Sequence, residues 1–525
     1  MRLLTLFGLL FLHVTAFAAE PPIEEIKGSL VIVGGGKLPD VVRDRFVKLA
    51  GGDTAKIVVI PTASESADKP AEHESFLAAW KKLNPSSVVL LHTRDKATAD
   101  TDAFIKPLAD ATGVWFSGGD QSKVTAAYLG TKTETALRAV LARGGVLGGT
   151  SAGAALMSEP MITGGTATAT FGPGFGFLPG VIVDQHFVVR KRQPRLVGMI
   201  EKHPGSVGIG IDEATAIVVR GRTIEVLGES TATVLLSPGA GRSLSEQVLK
   251  AKQTADLFQL RRAAANRAAK EPFPPKTPPK PSVEKGSLVI VGGGGTTREI
   301  MDRFFDLAGG KDSLVVVIPT ANEGTIEDNP DDAKYLQRWG GTNIKVLHTK
   351  DRKKADDPEF SKILEQAKGV WFGGGRQWRF VDSYENTLTH KRFHEVLARG
   401  GVIGGSSAGA SIQSEYMPRG HPLGNTVMDA EGYERGFGFL PGAAVDQHFF
   451  ARKRFADMSG LIKRYPQYLG LGIDEATALL VKGDIAEVLG KSKAAVFDGK
   501  PHGDKDYLEL SVGDKYDLVK RALAK

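Results

Sequence analysis

The 525-residue sequence predicts an α/β protein of two tandem domains, each a mainly parallel sheet with helices on both faces. Three observations lead there. The chain repeats itself, short β-branched runs alternate with helix-like stretches in each copy, and glycine-rich motifs stand where those runs end. "KGSLVIVGGG" at Lys27 returns at Lys285, "VVIPTASES" at Val58 as "VVIPTANEG" at Val316, and "GVWFSGGDQ" at Gly113 as "GVWFGGGRQ" at Gly369. "GFGFLPGVIVDQHF" at Gly174 returns as "GFGFLPGAAVDQHF" at Gly436, and "GIGIDEATA" at Gly208 as "GLGIDEATA" at Gly470. Repetition on this scale is a domain duplication, not a short-period solenoid.

Residues 1–19, "MRLLTLFGLLFLHVTAFAA", pair Arg2 with an apolar core from Leu3 to Val14 and a small-residue end. That pattern is a secretory signal peptide, cleaved after Ala18 or Ala19, and it is short for a membrane span of about 20 residues. The mature protein is therefore expected in a periplasm or outside the cell, without stable membrane insertion. With no cysteine in the chain, a lipoprotein anchor and disulfides are both excluded.

Residues 20–240 form the first domain. Its apolar runs are Leu30–Val33, Ile57–Ile60, Val88–Leu91, Val114–Phe116 and Val146–Leu147, separated by helical patterns such as "VVRDRFVKLAGG" that end in a glycine stop. Residues 241–284 read as a linker, a helical stretch followed by the six-proline spacer "EPFPPKTPPKPSVEK". A solvated helix is expected there. Residues 285–525 form the second domain. The formal charge of +7 does not advertise nucleic acid. Once Arg2 leaves with the leader, the remaining excess equals that of residues 241–285, ten Lys/Arg against four Asp/Glu. The two domains are near neutral.

Chemistry is signalled at "GGVLGGTSAGAALMSE", Gly144 to Glu159, which returns as "GGVIGGSSAGASIQSE" at Gly400. The match to G-x-S-x-G places Ser151 between Gly149 and Gly153, and Ser407 likewise. A nucleophile on a strained strand-to-helix turn needs small neighbours, and the next N–H, here of Ala152, can face a developing oxyanion. A serine nucleophile wants a base. His186 in "VDQHF" is the candidate, since it recurs as His448 whereas His203 becomes Tyr465. The serines lie 256 residues apart and the histidines 262, so the second copy carries a six-residue insertion between them. Two acids compete to orient the histidine. Asp184 would share its strand face, and Glu213 in "GIDEATA" could reach from the next strand end.

"FSGGDQ", "GGTSAGA", the "DQHF…RKR" run through Arg195 and "GIGIDEATA" together resemble the family of cyanophycinases and aspartyl dipeptidases, over nearly all of both copies. The resemblance implies a flavodoxin-like three-layer sandwich, similar to class I glutamine amidotransferases, in each copy. It implies Ser151 as nucleophile, His186 as base and Glu213 as third member, with Ser407, His448 and Glu475 as their counterparts. Gly118, Gly119, Gln121 and Ala152 would line the oxyanion side, and Asp184, Gln185, Arg190, Arg192 and Arg195 the substrate pocket. The matching positions in the second copy are Gln377, Asp446, Gln447, Arg452 and Arg454. The implied substrate is cyanophycin, a polyaspartate with arginine on each side-chain carboxyl, released as β-Asp-Arg dipeptides. A guanidinium cluster beside the base suits carboxylates. Neither metal nor cofactor is required.

The second copy departs from the first at two charges, Asp120 becoming Arg376 and Arg195 becoming Asp457. Either these compensate one another, or this copy binds something different, or it is mainly structural. A dinucleotide site at "VIVGGG" is rejected because Pro39 stands where the third glycine belongs and no acid ends the second strand. The alternatives kept are an aspartyl dipeptidase acting on short peptides and a catalytically silent secreted binding protein. The two copies are also expected to pack as a pseudo-dimer within one chain.

Overall fold

The computed structural model describes residues 25–524; the expected signal peptide lies outside them. The first half is built on an eight-stranded sheet. Its parallel core runs in the order Ser87–Leu90, Lys56–Ile60, Gly113–Phe116, Val146–Thr150, Ile26–Val33. Counted from the second strand in sequence, that is the flavodoxin order 2-1-3-4, with the N-terminal strand taking the fifth place. Strands Thr215–Gly221, Thr223–Gly228 and Thr254–Asp256 then extend the sheet antiparallel. The second half repeats this around Val283–Val291, in a nine-stranded sheet.

Strand Ile26–Val33 explains why the signal is a continuous apolar run rather than an alternation. Leu30 and Ile32 face one core and Val31 and Val33 the other, all four fully buried. On one face helix Asp40–Leu49 buries Val42, Phe46 and Val47, and Phe46 meets Trp80 and Trp115 edge-on. The opposite face packs on helices Gln121–Tyr128 and Lys132–Ala142 and on a second sheet absent from the sequence expectation. That sheet runs Ser245–Lys250, Thr231–Leu236, Val207–Ile211, Val181–Gln185, with only the last two strands parallel. Helix Gln193–Lys202 covers its outer side.

The solvated linker expected over 241–284 is corrected. Residues 245–250 and 254–256 are strands of the first half's two sheets. Helix Leu257–Ala268 is buried, including Leu257, Leu260, Ala263 and Ala264 and the arginines Arg261, Arg262 and Arg267. Three of the segment's four arginines are thus paired with acids inside the molecule, while its six lysines stay exposed. Arg267 grips Glu431 at 2.5 and 3.0 Å, Arg242 reaches Glu434 at 2.8 Å, and Arg262 pairs with Glu385. Arg222, stacked 4.0 Å over Trp378, bridges Asp256 to Asp382 (2.8 Å) and Tyr433 (3.0 Å) of the second half. The proline segment runs along the second half, where Phe273 stacks on Tyr416 and the Pro275 carbonyl accepts from Gln467. No helix of the described residues is long and apolar enough to cross a membrane.

Candidate active site

Ser151 follows strand Val146–Thr150 in a conformation (φ 53°, ψ −107°) that non-glycine residues avoid. Close packing dictates the glycines around it. A Cβ on Gly149 would stand 2.5 Å from the Gly153 carbonyl oxygen, and one on Gly153 2.5 Å from that of Phe116. The helix that follows, Ala152–Ala155, is one turn long, so the sequence overstated it. What it offers a substrate is the Ala152 N–H, among the first donors of a helix, which have no intrahelical partner.

The histidine arrives from the second sheet. His186 directly follows strand Val181–Gln185, and Glu213 lies two residues past the parallel strand Val207–Ile211. Ser151 Oγ lies 2.9 Å from His186 Nε2, and His186 Nδ1 lies 2.5 Å from Glu213 Oε1. The second half repeats the chain of contacts. Ser407 Oγ is 3.0 Å from His448 Nε2, and His448 Nδ1 is 2.7 Å from Glu475 Oε1. Burial holds both imidazoles below their ordinary pKa; Glu213 and Glu475 pull upward, Arg190 and Arg452 downward. A neutral imidazole at neutral pH is what a general base must be.

The "VIVGGG" triplet forms the bed of this pair, a role the sequence did not disclose. Gly35, at φ 114°, lies so close under the imidazole that a Cβ there would be 2.2 Å from His186 Cε1. The Gly34 carbonyl accepts the His186 N–H at 2.6 Å, and the Gly35 carbonyl accepts that of Ala214 at 2.9 Å. Gly36 packs on the Glu213 side chain. Gly292, Gly293 and Gly294 do the same under His448 and Glu475. A second unforeseen residue is Asp212. Its carboxylate accepts from the N–H groups of Val188 and Val189 at 3.1 Å and from Ser230 at 2.8 Å, fixing the turn after the histidine. Asp474 holds Ala451 and Ser492 likewise.

The remaining sequence candidates divide. Gly118 abuts the nucleophile, a Cβ there falling 3.5 Å from Ser151 Cβ, while Gly119 is exposed. Gln121 is buried and its amide donates to the Ile162 carbonyl at 2.7 Å; Gln377 donates likewise to Pro418 and Arg419. Asp184 does not orient the base. It is buried and held bidentately by Arg195 (2.7 and 2.5 Å), so Arg195 is an internal partner rather than an open pocket wall. Arg192 bonds the Gln185 carbonyl at 2.7 Å and lies 3.7 Å from Asp184; burial pushes its pKa down to about 10. Arg190 and Arg452 stay exposed, whereas Arg454 is buried on Asp446 (2.7 Å) and Gln447 (2.9 Å).

Of the three alternatives for the second copy, mutual compensation of Arg376 and Asp457 is ruled out, since each has other partners. Arg376 donates to the His421 and Gly424 carbonyls. Asp457 pairs with Arg419 (2.7 Å), whose guanidinium also takes Asp446 at 3.0 and 3.1 Å. Arg419, from the segment between serine and histidine, thus supplies the charge that Arg195 supplies to Asp184. In the same half Asp332 presses on Gly373 and accepts from Asn322 at 2.8 Å and from the Gly374 N–H beside Ser407. Burial pushes its pKa up to about 6. Among the described residues no acidic or histidine cluster could hold a metal.

The model of peptidase family S51 matches residues 30–227 and 288–489. Among curated proteins, the cyanophycinase of Geminocystis herdmanii is 30% identical over 222 residues, 41% of this chain and 82% of that protein. The cyanophycinase of Synechococcus elongatus is 36% identical over 253 residues, 46% of this chain and 76% of its own length. Among solved structures, a peptidase from an acI-B1 actinobacterium is 25% identical, covering 45% of this chain and 98% of that one, with a TM-score of 0.36.

Proposed function

The chain belongs to peptidase family S51 as a serine-type peptidase with two tandem copies, and from that premise we propose that it hydrolyses cyanophycin to β-Asp-Arg dipeptides. The observation that carries the reading is the aligned series Ser151–His186–Glu213, at 2.9 and 2.5 Å. In the proposed mechanism His186 Nε2 takes the Ser151 proton as Oγ attacks the backbone carbonyl of a β-substituted aspartate. Glu213 accepts from Nδ1–H and so holds the tautomer in which Nε2 can act as base. The N–H groups of Ala152 and Gly118 face the oxyanion. His186 then returns the proton to the leaving amine, and water, activated by the same imidazole, releases the acyl group. Exposed Arg190 and half-buried Arg192 match a substrate with a free carboxylate. The substrate itself is supported by the cyanophycinase relatives.

Further parts of the proposal rest on separate grounds. Arg2, the Leu3–Val14 run and the small residues at 16–19 support export from the cytoplasm. The ion pairs joining the halves support an intramolecular pseudo-dimer. Purified cyanophycin incubated with the wild type, Ser151→Ala, Ser407→Ala and the double variant tests the reaction. Dipeptide release should fall in Ser151→Ala by at least about 10³-fold in that half's share, and vanish in the double variant. Cleavage of small aspartyl peptides with none of the polymer would replace the substrate while keeping the chemistry.

A further inference from the structure

We propose that the first half positions the second half's site, because helix Leu257–Ala268 clamps the 418–435 segment that delivers Arg419. The proposal rests on the reading of Ser407, His448 and Glu475 as a hydrolytic site.

The asymmetry between the halves is the starting observation. In the first half, the guanidinium that holds Asp184 stands on helix Gln193–Lys202, a regular element of the same half. The neighbouring hairpin, Met161–Gly164 with Thr170–Gly172, adds the Gly165 and Gly164 carbonyls to Arg195, at 2.6 and 3.5 Å. Its tip, residues 166–168, is exposed. In the second half the helix position carries Asp457, so the guanidinium must come from elsewhere. Arg419 brings it on an irregular segment, whose placement therefore decides whether Asp446 is paired.

The near end of that segment is held within the second half, by Gln377 on the Pro418 and Arg419 carbonyls and Arg376 on those of His421 and Gly424, and its far end is held from the first half. Arg267 holds the Glu431 carboxylate at 2.5 and 3.0 Å, Gln259 donates to the Glu431 carbonyl at 2.5 Å, and Arg262 donates to the Gly432 carbonyl at 2.8 Å. Arg242 takes Glu434 at 2.8 Å. From there the backbone carries the constraint inward. The Met417 N–H donates to the Glu434 carbonyl at 2.7 Å, and the Arg419 N–H to the Met428 carbonyl at 3.0 Å. Arg419 then fixes Asp446, Asp446 fixes Arg454, and Arg454 bonds the Gln447 carbonyl, next to His448. Each link is a buried or half-buried hydrogen bond, and most involve a charged group, the stronger class of such bonds. A contiguous series of this kind joins the two halves, and perturbing its outer end is the direct test of coupling.

Arg262, Arg267, Gln259 and Glu431 are positioning residues, distant from the reacting atoms. The test uses the full chain and a fluorophosphonate probe. The serine Oγ displaces fluoride at phosphorus, its proton passing to the paired histidine, and peptide mass spectrometry reads Ser151 and Ser407 separately. The clamp is loosened by Gln259→Leu with Glu431→Gln, which keep side-chain size. Ser407 labelling should slow at least about fivefold, the lower end of ordinary coupling between sites. Ser151 in the same molecule should be unaffected, which excludes general unfolding. The acid limb of the Ser407 profile should also move slightly up, because burial first, then Arg452 and last Arg454 hold the His448 pKa down against Glu475, and a displaced Arg454 holds it less. Unchanged Ser407 rate and midpoint would overturn the proposal. So would equal slowing of both serines, or a Ser407 that never reacts in the wild type while Ser151 does. Failure of both serines in the wild type would instead overturn the peptidase chemistry itself.

Discussion

Glu213 and Asp184 are two carboxylates near one histidine, and their surroundings give them opposite tasks. Glu213 is part-exposed and its carboxylate lies 2.5 Å from His186 Nδ1. Asp184 is enclosed with Arg195. Glu213→Gln should therefore lower kcat by about 10²–10⁴-fold with little change in thermal stability, by removing what favours the imidazolium. Asp184→Asn should do the reverse first, destabilising the fold by about 3–5 kcal/mol because a buried guanidinium loses its counter-charge. Thermal melts and steady-state kinetics on the two variants separate these effects. The pH profile carries a sign. Burial lowers the His186 pKa and Glu213 raises it. In the wild type, kcat/KM should thus fall only below the ordinary imidazole value of about 6.5. Residual activity in Glu213→Gln should fall at still lower pH. Ser151 and His186 were legible as a candidate pair because each recurs in an intact motif. The third member was not settled by spacing, since a strand puts Asp184 on the histidine's own face. The register of two parallel strands, Gln185 beside Ile211, brings Glu213 rather than Asp184 to His186 Nδ1.

At the scale of the element, the three strand-end loops do the work of alignment. "VGGG" lies under His186, "SGGD" beside Ser151, and "TSAG" forms the turn that carries Ser151. Sequence could reject a dinucleotide at "VIVGGG" but could not say what the glycines accommodate, because the group pressing on Gly35 belongs to a distant strand of another sheet. Gly35→Ala should accordingly cost at least about 10² in kcat, since the imidazole must move by ångströms and the serine–histidine contact opens. Gly52→Ala is the matched control. It also has positive φ but open space around its Cβ, so it should lose only about 1 kcal/mol of stability and no activity. Equal kinetic effects from both would mean that backbone strain, not contact with His186, governs the first position. The second sheet stayed illegible for a related reason. Strands such as Ser245–Lys250 are exposed and weakly apolar, and register as strands only through their neighbour Thr231–Leu236.

For the whole molecule, the misread charge is the instructive case. The arginine-rich stretch after residue 241 has the composition of a solvated linker, and the acids that pair with it, Glu385, Glu431 and Glu434, stand more than a hundred residues away in sequence. No local pattern can announce such a pairing. It has a thermodynamic consequence. Arg222 is shared between Asp256 of its own half and Asp382 and Tyr433 of the other, and it covers Trp378. Burial pushes the Asp382 pKa up, against Arg222 and Arg262 holding it down, so this carboxylate tolerates the interior poorly without its cations. Arg222→Ala removes one of them and leaves Asp256 and Asp382 facing each other across the interface. The loss should be about 3–5 kcal/mol. Scanning calorimetry should show one cooperative transition for the wild type and two for the variant, the halves then melting separately. Two transitions already in the wild type would mean that each half folds on its own account and that the buried ion pairs only tether them.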